Sequence, residues 1–155
     1  MNKKVSVLGA GISGVGAARL AKIKGFEVFV SDSGSIDEKS KSVLTHNEIE
    51  WEEGGHDEAR ILNSDEVIKS PGIPEKAPLI QKLRKVSIPI ISEIEFAYRY
   101  TDAKIIAISG SNGKTTTTML CNHMFQKAKL DVGMAGNVGV SMAGMIADRQ
   151  RLFHP

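Results

Sequence analysis

Short apolar runs alternate with stretches of helical periodicity along the chain. KVSVLG (Lys4–Gly9) is an apolar run ending in glycine, the pattern of a buried strand, and Val15–Lys24 carries Ala, Leu and Ile at helical spacing before Gly25. EVFVSD (Glu27–Asp32) predicts a second strand, Asp37–His46 a polar surface helix, and Ile49–Glu53 a weaker third strand. DEVIKSPG (Asp65–Gly72) predicts a fourth strand, Pro78–Lys85 a helix and Ile88–Ile91 a fifth strand. Strands separated by helices imply an α/β fold, a parallel sheet covered on both faces. The expected order is 3-2-1-4-5, a Rossmann-like sheet, with strands one and four flanking the crevice where such sheets bind ligands.

After a connecting helix over Glu93–Tyr100 the pattern restarts. KIIAISG (Lys104–Gly110) predicts a strand, Gly113–Lys127 a helix, LDVGMAG (Leu130–Gly136) a strand and Val140–Ala147 a helix, whereas RQRLFHP shows neither period. The expected division is a first domain over 1–92, a linker over 93–103 and an incomplete second domain over 104–155. A two-stranded α/β sheet leaves an edge and a face uncovered. The expectation is therefore a fragment or an altered tail, with a non-native dimer through the uncovered second sheet as a consequence.

Composition narrows the class. The chain has 155 residues, 41% hydrophobic and 25% charged, as expected of a globular domain. A net charge of +2, with interspersed charges, gives no dense basic patch for nucleic acid. The single cysteine, Cys121, excludes an internal disulfide and fits a reducing compartment. No apolar run approaches the roughly 18 residues of a membrane span, and the N-terminus lacks a signal-peptide pattern. The expected location is the cytoplasm. Cys121, Met124 and Phe125 are expected on the buried face of their helix, Trp51 in packing, and His46, His56 and His123 lack metal-ligand spacing.

Two glycine loops carry candidate chemistry. GAGISG (Gly9–Gly14) follows a predicted strand and opens a predicted helix, the context that G-x-G-x-x-G requires. The first glycine permits a tight turn, the second a close backbone approach to phosphate, the third close packing of helix on strand. The helix start then offers N–H groups to an anion. Asp32 ends the second strand 23 residues after Gly9, where a dinucleotide-binding protein places its ribose carboxylate. NAD and another nucleotide diphosphate satisfy this physics equally. Ser70-Pro71-Gly72 follows the fourth strand and is expected to face the same crevice.

The second loop, Gly110-Ser111-Asn112-Gly113-Lys114-Thr115-Thr116, misses the first glycine of G-x-x-x-x-G-K-[ST], because position 108 is Ile. The parts with chemical roles remain. Lys114 reaches phosphate oxygens, the Thr115 hydroxyl ligates Mg²⁺, and backbone N–H groups from Ser111 to Thr115 cradle phosphates. Asn137, in AGNVG, follows the next predicted strand on the same edge.

Taken together, these motifs resemble the Mur ligase family, ATP-dependent amide-bond ligases of peptidoglycan synthesis. Its ATP loop is G-[ST]-x-G-K-[ST]-[ST], which GSNGKTT matches, so the Ile108 mismatch is the family's own form. GAGISG, SPGIP (Ser70–Pro74), SEIEFAY (Ser92–Tyr98), GSNGKTTT and GNVG (Gly136–Gly139) resemble the branch that adds D-glutamate. The resemblance implies UDP-N-acetylmuramoyl-L-alanine as substrate, with Gly9, Gly11, Ile12, Ser13 and Gly14 facing the diphosphate. It places Asp32, Ser33 and Gly34 near the uracil and ribose, and Ser70, Gly72 and Asn137 in the rest of the cleft. Lys114 and Thr115 would be the catalytic pair, holding ATP and Mg²⁺ while the substrate carboxylate is activated as an acyl phosphate for attack by the D-glutamate amine.

The family continues after GNVG with an acidic metal ligand in E-[LIV]-S-S-F-Q, a histidine ligand, a carbamylated lysine and an amino-acid domain; none follows Asp148 here. The sequence therefore predicts no ligase activity for these 155 residues and weak retained UDP-substrate binding. Other readings are another Mur ligase of the same pathway, an NAD(P)-binding module, or a non-enzymatic nucleotide-binding module.

Overall fold

A computed structural model of the chain describes residues 2–136 and 139–153. The elements are β1 (Lys4–Leu8), α1 (Ile12–Ile23), β2 (Glu27–Asp32), α2 (Glu38–His46), β3 (Glu50–Glu53) and α3 (Glu58–Ile61). They continue with β4 (Glu66–Lys69), α4 (Pro78–Lys85), β5 (Ile90–Ser92), α5 (Glu93–Tyr98), α6 (Lys114–Lys127) and α7 (Met142–Phe153). The strands form one parallel sheet in the order β3-β2-β1-β4-β5, as the sequence predicts.

The central strands are apolar on both faces because both are covered. On one side Val5, Val7, Val28 and Val30 pack against Ala17, Leu20 and Ala21 of α1, Leu44 of α2, and residues of α5 and α7. On the other, Leu8, Phe29 and Val67 meet Ile61 of α3 and Leu79, Ile80 and Leu83 of α4. The start of α2 is fixed by Asp37, whose side chain accepts the N–H of Ser40 at 3.0 Å.

The segment expected to link two domains contributes to this core. Phe96 of α5 is fully buried, with edge-on ring contacts to Phe26 and Tyr100 at 5.9 and 5.1 Å. Burial of one such ring is worth about 2 kcal/mol. α7 lies against α1 and α5, with Ala143, Ile146 and Ala147 buried. The crossing is close because Gly16 has no side chain; a Cβ there would lie 2.0 Å from Ser141 Oγ. The buried Glu93 carboxylate, 5% exposed, accepts from Ser141 Oγ at 2.7 Å and from the Ala143 N–H at 2.6 Å. It thereby caps the N-terminus of α7, where a negative charge is favoured.

Three expectations are corrected. Lys104–Gly110 and Leu130–Gly136 form no strand ladder; among the described residues the only pairing here is an isolated antiparallel bridge between Gly136 and Val140. Apolar composition signals burial but supplies no partner, and without one Ile105 and Ile106 remain 44% and 57% exposed. The two-stranded edge expected to mediate dimerisation is thus not present as a ladder. Secondly, α6 buries none of its residues; Met124 is exposed, and Cys121 and Phe125 are half-buried along a cavity of about 310 Å³. Thirdly, residues 149–153 continue α7 despite their aperiodic sequence. The helix is held by its packed first turns and by Arg149, which donates to Asp131 at 2.6 and 3.0 Å.

The junction between β2, α2 and β3 carries a pH dependence. The Ser40 hydroxyl, and then the backbone, hold Asp37 below the ordinary carboxylate value. The Ile36 N–H, and then the Lys41 ammonium, do the same for Glu53. Groups whose folded-state pKa is lowered stabilise fully above their unfolded values, and that contribution is lost as pH falls through the folded values. Urea midpoints should therefore decline as pH drops below about 4, and Asp37→Asn should flatten the decline. A midpoint unchanged between pH 6 and pH 3 would contradict this.

Candidate functional site

The loop after β1 is held in place from two neighbouring strands. Gly9, at φ +91°, donates its N–H to the Ser31 carbonyl at 2.8 Å, and the Ala10 N–H reaches Asp32 Oδ2 at 2.7 Å. The Gly34 N–H donates to the other oxygen of Asp32 at 2.9 Å. Asp32 is thus a loop clamp as well as a candidate ribose ligand, and its half-buried carboxylate keeps lone pairs for both tasks. On the β4 side, Ser70 donates its N–H to Leu8 O at 3.0 Å, and its Oγ lies 3.5 Å from Gly9 O. Lys69 steadies the following turn by donating to Ile73 O at 2.8 Å and pairing with Glu75 at 3.2 Å.

The third glycine of GAGISG is required by close approach. A Cβ on Gly14 would lie 1.8 Å from Gly9 O. α1 begins at Gly11, an N-cap without a side-chain hydrogen bond, so the N–H groups of Ile12, Ser13 and Gly14 open its first turn without intrahelical acceptors. Ile12, 61% exposed, stands at this end. Ser33, Gly34 and Gly72 are exposed on loops at the same carboxyl edge of the sheet. Beside the edge runs a groove of about 700 Å³ between α1, α2 and α7, with Ile12, Val43, Val140 and Met145 among its walls. Asn137 lies outside the described residues.

The second loop opens α6 in a similar way. Gly113 is the N-cap, at φ +76°, and Lys114, Thr115 and Thr116 begin the helix. Lys114 Nζ folds back onto the loop, donating to the Gly110 carbonyl and, at 3.3 Å, to the Ser111 carbonyl. Gly110, Ser111, Asn112, Thr115 and Thr116 are exposed. No hydrogen bond among the described residues joins this loop to Gly9–Gly14.

A cluster that sequence reasoning missed lies behind Asp32. Ser31, fully buried, has its Oγ 2.6 Å from Glu52 Oε1 and 2.6 Å from His56 Nδ1. Glu52 Oε1 also accepts the Asp57 N–H at 2.7 Å. A signal was available, because parallel pairing of β2 with β3 sets Ser31 beside Glu52 in register.

Residues 4–78 match the family model for the MurD N-terminal domain. The chain carries a MurD N-terminal domain. Over 98% of its length it is 59% identical to a UDP-N-acetylmuramoylalanine–D-glutamate ligase from Bacteroides thetaiotaomicron, of which it covers 34%. A ligase of the same name from Christiangramia forsetii is 51% identical over 96% of the chain, which covers 33% of that protein. The chain spans about a third of the length of the curated relatives it matches. Among solved structures, a murein peptide ligase from Psychrobacter arcticus aligns over 99% of the chain and 32% of its own, with a TM-score of 0.62 at 21% identity, a likeness of fold. The MurD N-terminal domain thus comprises the first four strands of the sheet and the loops clamped to Asp32 and Ser70. No helix among the described residues is long and apolar enough to cross a membrane.

Proposed function

We propose that the carboxyl edge of this sheet binds the uridine diphosphate part of UDP-N-acetylmuramoyl-L-alanine, and that the chain serves an ATP-dependent ligase that adds D-glutamate to that substrate. The observation that carries the reading is the convergence of the β1, β2 and β4 loops on one edge, with the open first turn of α1 between them. That turn offers oriented N–H donors and the positive end of a helix to a diphosphate. Gly11 lets the backbone approach the phosphates; Ile12 and Ser13 flank them. Asp32, Ser33 and Gly34 take the nucleoside, and Ser70, Gly72 and Asn137 the rest of the substrate. Identity of 59% over 98% of the chain supports this choice over a nicotinamide dinucleotide.

Residues 110–116 fit a nucleotide triphosphate by their donor set: a helix start, a glycine loop, and an ammonium, Lys114, now resting on the loop's own carbonyls. Phosphate oxygens would replace those carbonyls as its acceptors. Thr115 supplies one hydroxyl for Mg²⁺, and the described residues contain no cluster of three or more His, Cys, Asp or Glu that could hold a metal ion. When bound, ATP supplies the phosphoryl group that activates the substrate carboxylate. In this reading residues 1–92 hold the UDP substrate, 93–103 connect, and 104–155 contribute the ATP loop.

Calorimetric titration of the 155-residue chain with UDP, UDP-N-acetylmuramoyl-L-alanine and NADH tests the reading. Both uridine ligands should give saturable heat and NADH none; saturable binding of NADH alone would overturn it. Lys114→Ala should abolish ATP binding and leave UDP binding within about twofold of the parent, because the two loops share no hydrogen bond; equal loss of both would contradict separate sites.

A further inference from the structure

The Ser31–Glu52–His56 cluster has a proton arrangement that its geometry dictates. Ser31 Oγ carries one proton and meets three partners: Glu52 Oε1 and His56 Nδ1, each at 2.6 Å, and the Gly55 carbonyl, which can only accept, at 3.4 Å. The Glu52 carboxylate, which also takes the Asp57 N–H, can only accept. The serine proton therefore points to Glu52, and His56 Nδ1 must carry the proton of the second bond and donate it to Ser31 Oγ. The neutral ring is thus the Nδ1–H tautomer, and protonation at Nε2 leaves the bond unchanged.

The cluster reaches the nucleotide edge through short links. The Ser31 carbonyl accepts the Gly9 N–H, and the next residue, Asp32, clamps Ala10 and Gly34. The turn carrying His56 is tied to the same loop, since the Gly54 N–H donates to Gly34 O at 2.9 Å and the Gly55 N–H to Asp32 O at 3.4 Å. Two chain segments, 31–34 and 52–57, are thus fastened together under the place where the nucleoside would lie.

We propose that His56 is a positioning residue of the nucleotide site: an Nδ1–H donor that, through Ser31 and Glu52, fixes the Asp32–Gly34 loop and the Gly9 turn in their ligand-binding form. This rests on the reading of that edge as a uridine diphosphate site. The ring is joined through Ser31 to the Glu52 carboxylate, and the His56 carbonyl accepts the Glu58 N–H at 2.9 Å.

The test pairs two variants with UDP as the probe. His56→Ala removes the donor and should weaken UDP binding on the order of tenfold, the equivalent of one hydrogen bond. His56→Asn, whose side-chain amide N–H occupies nearly the place of Nδ1–H, should restore affinity to within about threefold. Nitrogen NMR of the parent should show the Nδ1–H tautomer for neutral His56. Unchanged affinity in His56→Ala, equal weakening in both variants, or an Nε2–H tautomer would overturn the proposal alone. Failure of the parent chain to bind UDP would overturn the site assignment with it.

Discussion

Gly14→Ala should destabilise the chain by about 3 kcal/mol or more, although glycine-to-alanine changes inside helices ordinarily stabilise by up to about 1 kcal/mol. The reversal comes from one contact. The new Cβ would stand 1.8 Å from Gly9 O and 2.9 Å from Gly9 C, both backbone atoms that no rotamer change can move. Relief requires α1 to shift from β1, and α1 carries Ala17, Leu20 and Ala21 in the main core. Urea denaturation followed by far-UV circular dichroism would measure the loss. Gly11→Ala is the informative comparison. A Cβ there meets nothing within 4 Å and the residue has φ −72°, so the fold should tolerate it within about 1 kcal/mol, the scale of an N-cap change. UDP binding should nevertheless fall, because the methyl group occupies the path of the phosphates. A stable Gly14→Ala protein would show that the loop and helix are not in the close contact described.

Glu93→Ala should release α7 from the sheet domain. The side chain is buried and accepts two hydrogen bonds on one oxygen, from Ser141 Oγ and from the Ala143 N–H. Each bond to a buried carboxylate is worth about 1.5–3 kcal/mol, so the expected loss in α7 docking is about 3 kcal/mol. Glu93→Gln keeps an acceptor in place but not the charge, and should lose roughly half as much. Hydrogen exchange of amides 145–150 reads the effect directly: they should exchange far faster in Glu93→Ala, while those of β1 and β2 change little. Gly16→Ala attacks the same joint from α1, since its Cβ would overlap Ser141, so the two changes should be strongly non-additive. The Arg19–Asp148 pair across the same helices joins a mostly exposed aspartate and adds little. Equal protection of α7 in parent and variant would remove the joint from the account.

The sheet was legible because buried parallel strands write themselves as short apolar runs, as β1, β2, β4 and β5 do, whereas β3, EWEE, showed only weakly. Glu58–Ile61 was not, because a four-residue helix with one buried side chain has too few positions to show a period. Lys104–Gly110 misled for the opposite reason: its apolarity is plain, but a ladder also needs a neighbour, which composition cannot supply. At the candidate site, Gly9–Gly14 and Asp32 stood out by spacing along the chain. Asp32's second task as a clamp on Ala10 and Gly34 did not, because it depends on where two loops meet. Ser31 and Glu52 could be read together only from the β2–β3 register, and His56 joins them through the turn after it.

The most direct test of the central claim is amide NMR of the nitrogen-labelled chain during titration with UDP. The account predicts saturable shifts confined to Gly9–Gly14, Asp32–Gly34 and Ser70–Gly72, with residues 110–116 unmoved until ATP is added. Shifts centred on 110–116, or no saturable shift at the carboxyl edge of the sheet, would contradict it.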